Sequence, residues 1–298
     1  MFQANIERKR IIMTLMEIMD KLRGYYLKYG AEKHAEFWDG HDDMLQKTYL
    51  DNEIFIFYLV ERDKFVPHRV FPFWDIAKEN GETVAHAVAK RNALPNPDEN
   101  WPAWELRDGN SETVAHIAAT SGCRLAYSDK WKGWLLQNRQ GNTVAHILAE
   151  KKELPNFGCY WSGWSVKNCR NKTVAHYAAK NGSLPLFDKD WEVWEACDSN
   201  NVSVAHLSAR KGVLNRFPAD WPLWRLKDIK KRSVAHYAAE ESYLPNYGQD
   251  WPGWGWADEN GDTVAHYAAK SNILPFFATD WPGLRWKNNA GIRVSDLL

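Results

Sequence analysis

Apolar and polar positions along this chain recur every 30 residues, and the pattern within one period predicts two helical elements separated by punctuated loops. The first element opens on Thr or Ser and runs on through small apolar residues, as in Thr263-Val264-Ala265-His266-Tyr267-Ala268-Ala269-Lys270. Thr263 has the side chain of a helix N-cap, and His266 stands where a capping box places Glu or Gln. The Ala-rich run propagates the helix. Asn92, Gly122, Gly182, Gly212 and Asn272 follow it in their copies and suit the left-handed residue that ends a helix. Leu-Pro pairs such as Leu184-Pro185 and Leu274-Pro275 then forbid continuation.

The second element is built on Trp-x-x-Trp: Trp101/Trp104, Trp131/Trp134, Trp161/Trp164, Trp191/Trp194, Trp221/Trp224 and Trp251/Trp254. Asp190, Asp220, Asp250 and Asp280 precede the first Trp as expected N-caps, and Pro222, Pro252 and Pro282 follow it. This predicts a short helix of about two turns. A turn such as Asn138 to Gly141 or Asp258 to Gly261 leads to the next Thr. The end copies erode: Phe71/Trp74 opens the Trp series, Trp281/Leu284 closes it, and Arg293-Val294-Ser295-Asp296 replaces the last Thr-Val-Ala-His. Such a period marks a stacked array whose units bury their apolar faces on each other.

Residues 1 to about 65 lack the repeat. Ile6, Ile11, Ile12, Leu15, Met16, Met19, Leu22, Tyr25 and Tyr26 fall at helical spacing, and a second helix is expected from Asp43 to about Val60. These helices are expected to cap the first repeat, giving an N-terminal module over 1–65 and an array over 66–298.

Composition adds little beyond the repeat. Lys plus Arg equals Asp plus Glu at 38 each, so no global field selects nucleic acid or membrane. Cys123, Cys159, Cys169 and Cys197 occupy four different phases, unlike a repeated metal site or disulfide ladder. No apolar stretch is long enough to span a membrane, and Ile11 to Met19, interrupted by Glu17, is a poor signal peptide. The default compartment is the cytoplasm, of the producing cell or of a host.

The segment Asp258-Glu259-Asn260-Gly261-Asp262-Thr263-Val264-Ala265-His266-Tyr267-Ala268-Ala269 resembles the opening of an ankyrin repeat, Asp-x-x-Gly-x-Thr-Pro-Leu-His-x-Ala-Ala. The resemblance covers roughly 66–298 and returns seven times. It departs from the family in its period, in Val-Ala for Pro-Leu, and in Trp-x-x-Trp for a Leu-rich second helix. The implied fold is an all-α, ankyrin-like solenoid of about seven units. It also implies that His86, His116, His146, His176, His206, His236 and His266 bond back to their own Thr or Ser and to neighbouring turn backbone.

A metal ladder is excluded on distance, because packed helices lie ~8–10 Å apart while two ligands of one zinc each approach to ~2 Å. Trp101, Trp131, Trp161, Trp191, Trp221 and Trp251 could stack sugars, bases or choline, but Phe71 and Leu284 in the end copies point to packing. His34, Asp39, His41, Asp42 and Asp43 are a weak metal candidate. No phosphate loop, nucleophile elbow or single convergent triad is present, so neither a catalytic site nor a cofactor is expected.

In ankyrin-like arrays partners meet the turn before Thr and the exposed end of the first helix. Carried onto this chain, those slots hold Arg139 and Lys151; Arg170, Lys172 and Lys180; Arg210 and Lys211; and Lys230, Lys231 and Arg232. Tyr177, Tyr237 and Tyr267 follow their His and serve either a partner or packing. The basic stripe reads as a solvated face, as a site for an acidic protein surface, or as a track for a nucleic-acid backbone. A protein partner is the leading expectation, in the manner of a phage or bacterial effector that inhibits a host protein by occluding it. A nucleic-acid or acidic-polymer binder is the alternative.

Overall fold

The structure, a computed structural model, describes residues 57, 74–274, 277 and 280–298. The expected helices before Val60, the module over 1–65, the candidate cluster from His34 to Asp43, and Phe71 and Pro275 lie outside the described residues. The chain divides into two compact units, Met1–Gly109 with Ser121–Cys123 and Asn110–Thr120 with Arg124–Leu298.

Seven α-helices lie among the described residues: α1 Val84–Lys90, α2 Val114–Ser121, α3 Val144–Lys151, α4 Val174–Asn181, α5 Val204–Ala209, α6 Val234–Glu240 and α7 Val264–Lys270. Each is too short to persist in water alone, so its stability comes from packing. Val144, Ala145 and Ala149 of α3, and their counterparts in the helices that follow, are fully buried. Side chains this small let backbones approach, and α3 to α7 pack each against the next.

A hairpin turn precedes α1 and each of α3 to α7, closed by a single antiparallel pair such as Lys167 with Thr173 or Lys227 with Ser233. An Asn or Asp side chain knits each turn. Asn138 Oδ1 accepts the backbone N–H of Gln140 and Asn142, both at 3.0 Å, and Asp228 Oδ1 accepts those of Lys230 and Arg232, both at 2.9 Å. Successive turns are then joined by backbone bonds: Cys169 N–H donates to Gln140 O, Ile229 to Asn200 O and Glu259 to Lys230 O, each at 3.0 Å.

The helix ends match the sequence signals, with left-handed φ of +69° at Gly182 and +71° at Gly212. Lys152 (φ +64°) and Ser242 (φ +63°) take the same slot without being Gly or Asn, showing that position rather than residue type sets the backbone there.

The second element differs from expectation. It is a single 3₁₀ turn of four residues, not a two-turn helix, and its N-cap is the first Trp, not the preceding Asp. Trp191 has extended backbone (φ −67°, ψ 116°) and no side chain caps the turn, while Asp190 sits outside it and pairs with Lys189 at 2.8 Å. The reason is that indoles pin both ends. Trp191 Nε1 donates to Cys159 O at 3.0 Å and Trp194 Nε1 to Asp188 O at 2.8 Å. Ala196 must be extended again to receive Val204 N–H at 3.1 Å, which leaves room for one tight turn.

Candidate interaction surface

The histidines form a closed hydrogen-bond circuit. In α3, Thr143 Oγ1 accepts His146 N–H at 3.3 Å, and His146 Nδ1 lies 3.0 Å from Thr143 N and 2.7 Å from Thr143 Oγ1. Nε2 is 3.1 Å from Lys172 O, in the turn of the next repeat. A carbonyl only accepts, so Nε2 carries the proton and Nδ1 accepts from both the Thr amide and its hydroxyl. Every polar atom of the pair is thereby satisfied, and the ring ties one repeat to its neighbour. The arrangement returns at His176, His206, His236 and His266, whose Nε2 atoms meet Val202, Arg232, Asp262 and Ile292 carbonyls at 3.1 to 3.2 Å. His116 likewise meets Asn142 O at 3.0 Å, and His86 keeps the same bond to Thr83, 2.7 Å from its hydroxyl.

Burial pulls His146, His206 and His236 down to about 4 and lowers His176 as well. The rings are neutral structural keys at neutral pH. Among the described residues no group of three or more His, Cys, Asp or Glu is placed to hold a metal.

The tryptophans are equally committed. Trp134, Trp164, Trp194, Trp224 and Trp254 are buried to 2% exposure or less, and Trp131, Trp161, Trp221 and Trp251 are also buried. Paired rings meet edge to face, at 5.4 Å for Trp161 and Trp164 and 5.0 Å for Trp191 and Trp194. Trp101 packs the same way against Trp74 and Trp104, both at 5.1 Å. An aromatic column that the sequence reading passed over completes the layer. Phe157, Phe187, Phe217 and Tyr247 lie 4.3 to 4.7 Å from the first Trp of their repeats. Their constant offset of four residues before that Trp was the available signal.

The slots that vary between copies divide sharply. Arg139, Arg170, Lys211, Lys230 and Lys231 are exposed and have no charged partner among the described residues. The others in the expected stripe are engaged internally. Lys151 Nζ donates to Ala119 O at 2.9 Å and also to Thr120 O, capping α2. Lys172 lies 3.9 Å from Asp198 and Lys180 4.0 Å from Glu150. Arg210 Nη2 is 2.6 Å from Glu240, and Arg232 Nε is 3.2 Å from Asp228.

Of the two roles the sequence leaves open for the tyrosines, Tyr237 takes packing. Tyr237 is 2% exposed and its hydroxyl donates to Asp228 Oδ2 at 2.8 Å, so it offers no surface to a partner. Tyr267 donates likewise to Asp258 Oδ2 at 3.0 Å, and Tyr177 accepts from Asn168 Nδ2 at 3.1 Å. Each bond ties the first helix to its own turn. Burial works to raise the Asp228 carboxyl, but hydrogen bonds from Tyr237 and Arg232 outweigh it and hold the group below the usual carboxylate range.

No family model matches the chain, and no curated protein matches it. Among solved structures it is similar to the ankyrin repeat domain of Bcl-3, described as a unique member of the IkappaB protein family. That likeness has 14% identity, covers 74% of this chain and 95% of that one, and gives a TM-score of 0.41. The order of parts on its own defines the architecture: hairpin turn, Thr/Ser-x-x-His capped helix, left-handed helix end, second short turn. The fold is an ankyrin-like helical repeat. Its turns and exposed helix ends carry the variable residues, and no helix among the described residues is long and apolar enough to cross a membrane.

Proposed function

We propose that this chain is a protein-interaction scaffold that binds an acidic surface of a partner protein through its turns and first-helix ends. One observation carries the reading. The recurring His, Thr or Ser, and the Trp rings after Trp131, spend their hydrogen bonds inside the fold, whereas Arg139, Arg170, Lys211, Lys230 and Lys231 stand exposed without a charged partner among the described residues. Charges held on a rigid frame lose little freedom on binding, which favours recognition by electrostatic complementarity. No site of convergent catalytic groups competes with this reading among the described residues. Such a scaffold acts by covering what it binds, which suits an inhibitor or effector of a host protein.

The test is affinity capture from nuclease-treated lysate with wild type and an Arg139→Glu/Arg170→Glu/Lys211→Glu/Lys230→Glu variant, whose folding is checked by Trp emission. The expected result is a protein retained by wild type and released by the variant, with capture weakening as salt rises. A variant that keeps every wild-type partner refutes the proposal. Capture that depends on nucleic acid surviving in the lysate selects the polyanion alternative instead.

A further inference from the structure

One ring organises the charges at the end of α5 and α6. Tyr237 lies buried with the Arg232 guanidinium 4.4 Å and the Arg210 guanidinium 4.8 Å from its ring centroid. Arg232 Nη2 also donates to the Tyr237 hydroxyl at 2.7 Å, and that hydroxyl is bonded to Asp228. Both guanidinium groups are thus held by contacts that do not depend on a partner, which is the preorganisation a binding hot spot requires. They converge on a single half-exposed carboxylate: Glu240 Oε2 is 2.6 Å from Arg210 Nη2 and 3.9 Å from Arg232 Nη1.

Glu240 is a poorly matched resident. It is the last residue of α6, where the partial negative charge of the helix end disfavours an anion. Lys180, Arg210 and Lys270 fill the same slot in other copies with the matching sign, while Glu150 repeats the mismatch. Its hold on the clamp is also incomplete, since Arg210 Nε is buried and makes no hydrogen bond.

We infer that Glu240 is a placeholder, and that the Arg210–Arg232 clamp is the anchor for one acidic side chain on an extended segment of the partner; this rests on the function proposed above. The surroundings fit a peptide. Lys211 follows Arg210 and Lys230 and Lys231 precede Arg232 in the sequence, all three exposed, and they add positive charge to that stretch of the array. Ile229, 64% exposed at the adjacent turn, offers an apolar contact beside them. A phosphate track does not fit, because the turn-tip slot reads Arg139, Cys169, Ser199, Ile229 and Glu259, with no run of cations along the array.

The experiment measures anisotropy of a short fluorescein-labelled peptide of Glu and Leu, titrated with the full chain at low salt. Glu240→Gln keeps the shape of the side chain and empties the clamp of charge, and is expected to bind about three- to fivefold more tightly than wild type. Glu241→Gln removes the same charge one residue away, outside the clamp, and is expected to change affinity by less than about twofold. Adding Arg210→Gln to Glu240→Gln should erase the gain. Equal gains from Glu240→Gln and Glu241→Gln, a gain that survives Arg210→Gln, or no binding by any of these proteins overturns the clamp. A single-stranded oligonucleotide of equal charge that gains as much from Glu240→Gln overturns the assignment to a peptide. The two readings fail separately. If the fourfold charge-reversal variant loses its lysate partner while Glu240→Gln binds the peptide no better, the scaffold stands and the clamp falls. If Glu240→Gln tightens as expected while charge reversal releases nothing, the clamp stands and the wider stripe falls.

Discussion

Mild acid is expected to unfasten the larger repeat unit well before its carboxylates protonate. His146, His206 and His236 sit near 4 in the folded chain because burial opposes their charge, against an ordinary value of 6.5. Between those limits the unfolded chain binds protons that the folded chain refuses, so stability falls as pH drops below about 6.5 and the loss levels off only below about 4. At pH 5 each of these sites costs about 2 kcal/mol relative to pH 7, and the three together about 5 to 6 kcal/mol. That is comparable to the whole folding free energy of many domains. The matching slope near pH 5 is about 3.5 kcal/mol per pH unit, an uptake of two to three protons on unfolding. Asp228 and Asp262 have depressed values, so what they contribute is present above the unfolded carboxylate range and lost only below about 4. The two windows therefore separate. Urea unfolding followed by Trp emission at closely spaced pH values from about 5 to 7.5 reads mainly the histidine window. His206→Gln should cost stability at pH 7 and flatten the slope near pH 5 by about 1.2 kcal/mol per unit, because Gln can still cap but takes no proton. A midpoint that stays put between pH 7 and pH 5, or a slope unaltered by His206→Gln, would refute the reasoning.

Two further outcomes follow from the same geometry. Thr173→Val removes the hydroxyl that accepts His176 N–H at 3.3 Å and meets Nδ1 at 2.7 Å. It should cost about 1 to 2 kcal/mol in urea, while Thr173→Ser should be close to neutral because Ser203 and Ser233 do the same work in their copies. Tyr237→Phe should cost about 1 to 3 kcal/mol in the same assay, since Asp228 and Arg232 both lose a buried partner, whereas a residue that merely decorated the surface would cost nothing measurable.

Much of the fold was legible because each repeat states its local chemistry in short range. Thr or Ser three residues before His, Ala on the buried face, and Gly or Asn at the helix end are decisions made within one turn of backbone. The array is visible because those decisions recur at a fixed interval. What stayed hidden depends on bonds between repeats. The Asp before Trp looks like an N-cap, yet the first indole reaches back 32 residues, as from Trp191 to Cys159 O, and fixes a tighter turn than local propensity suggests. The basic stripe was legible only as composition. Whether a cation is free depends on a residue about 30 positions away, as with Lys180 and Glu150 or Arg210 and Glu240, and no local pattern states which pairs close. Tyr237 misled for the same reason: an aromatic residue after His is buried or exposed according to whether its turn holds an acceptor such as Asp228.

The turn tips show why a frame this fixed can carry a surface this variable. Cys169, Ser199, Ile229, Glu259 and Asn289 occupy one slot, and each donates its backbone N–H to the carbonyl of the previous turn. This backbone bond forms whatever the side chain, although Ser199 and Asn289 add a side-chain bond to the previous turn. A cysteine, a hydroxyl, a bare isoleucine, a carboxylate and an amide all hold the same place. The neighbouring Asn or Asp closes the turn with one oxygen on backbone amides, as Asn168 does with Arg170 and Lys172 at 2.9 and 3.1 Å, and spends its other atom on side chains such as Tyr177 and Asn142. Substitution at the tips is therefore expected to be nearly free in folding energy, whereas the Thr, His and Trp slots each carry buried bonds that a change would orphan. The groups that bond between repeats and the side chains that vary between copies occupy largely different positions of the same 30-residue unit. Under the function proposed above, that division separates what holds the array together from what meets a partner.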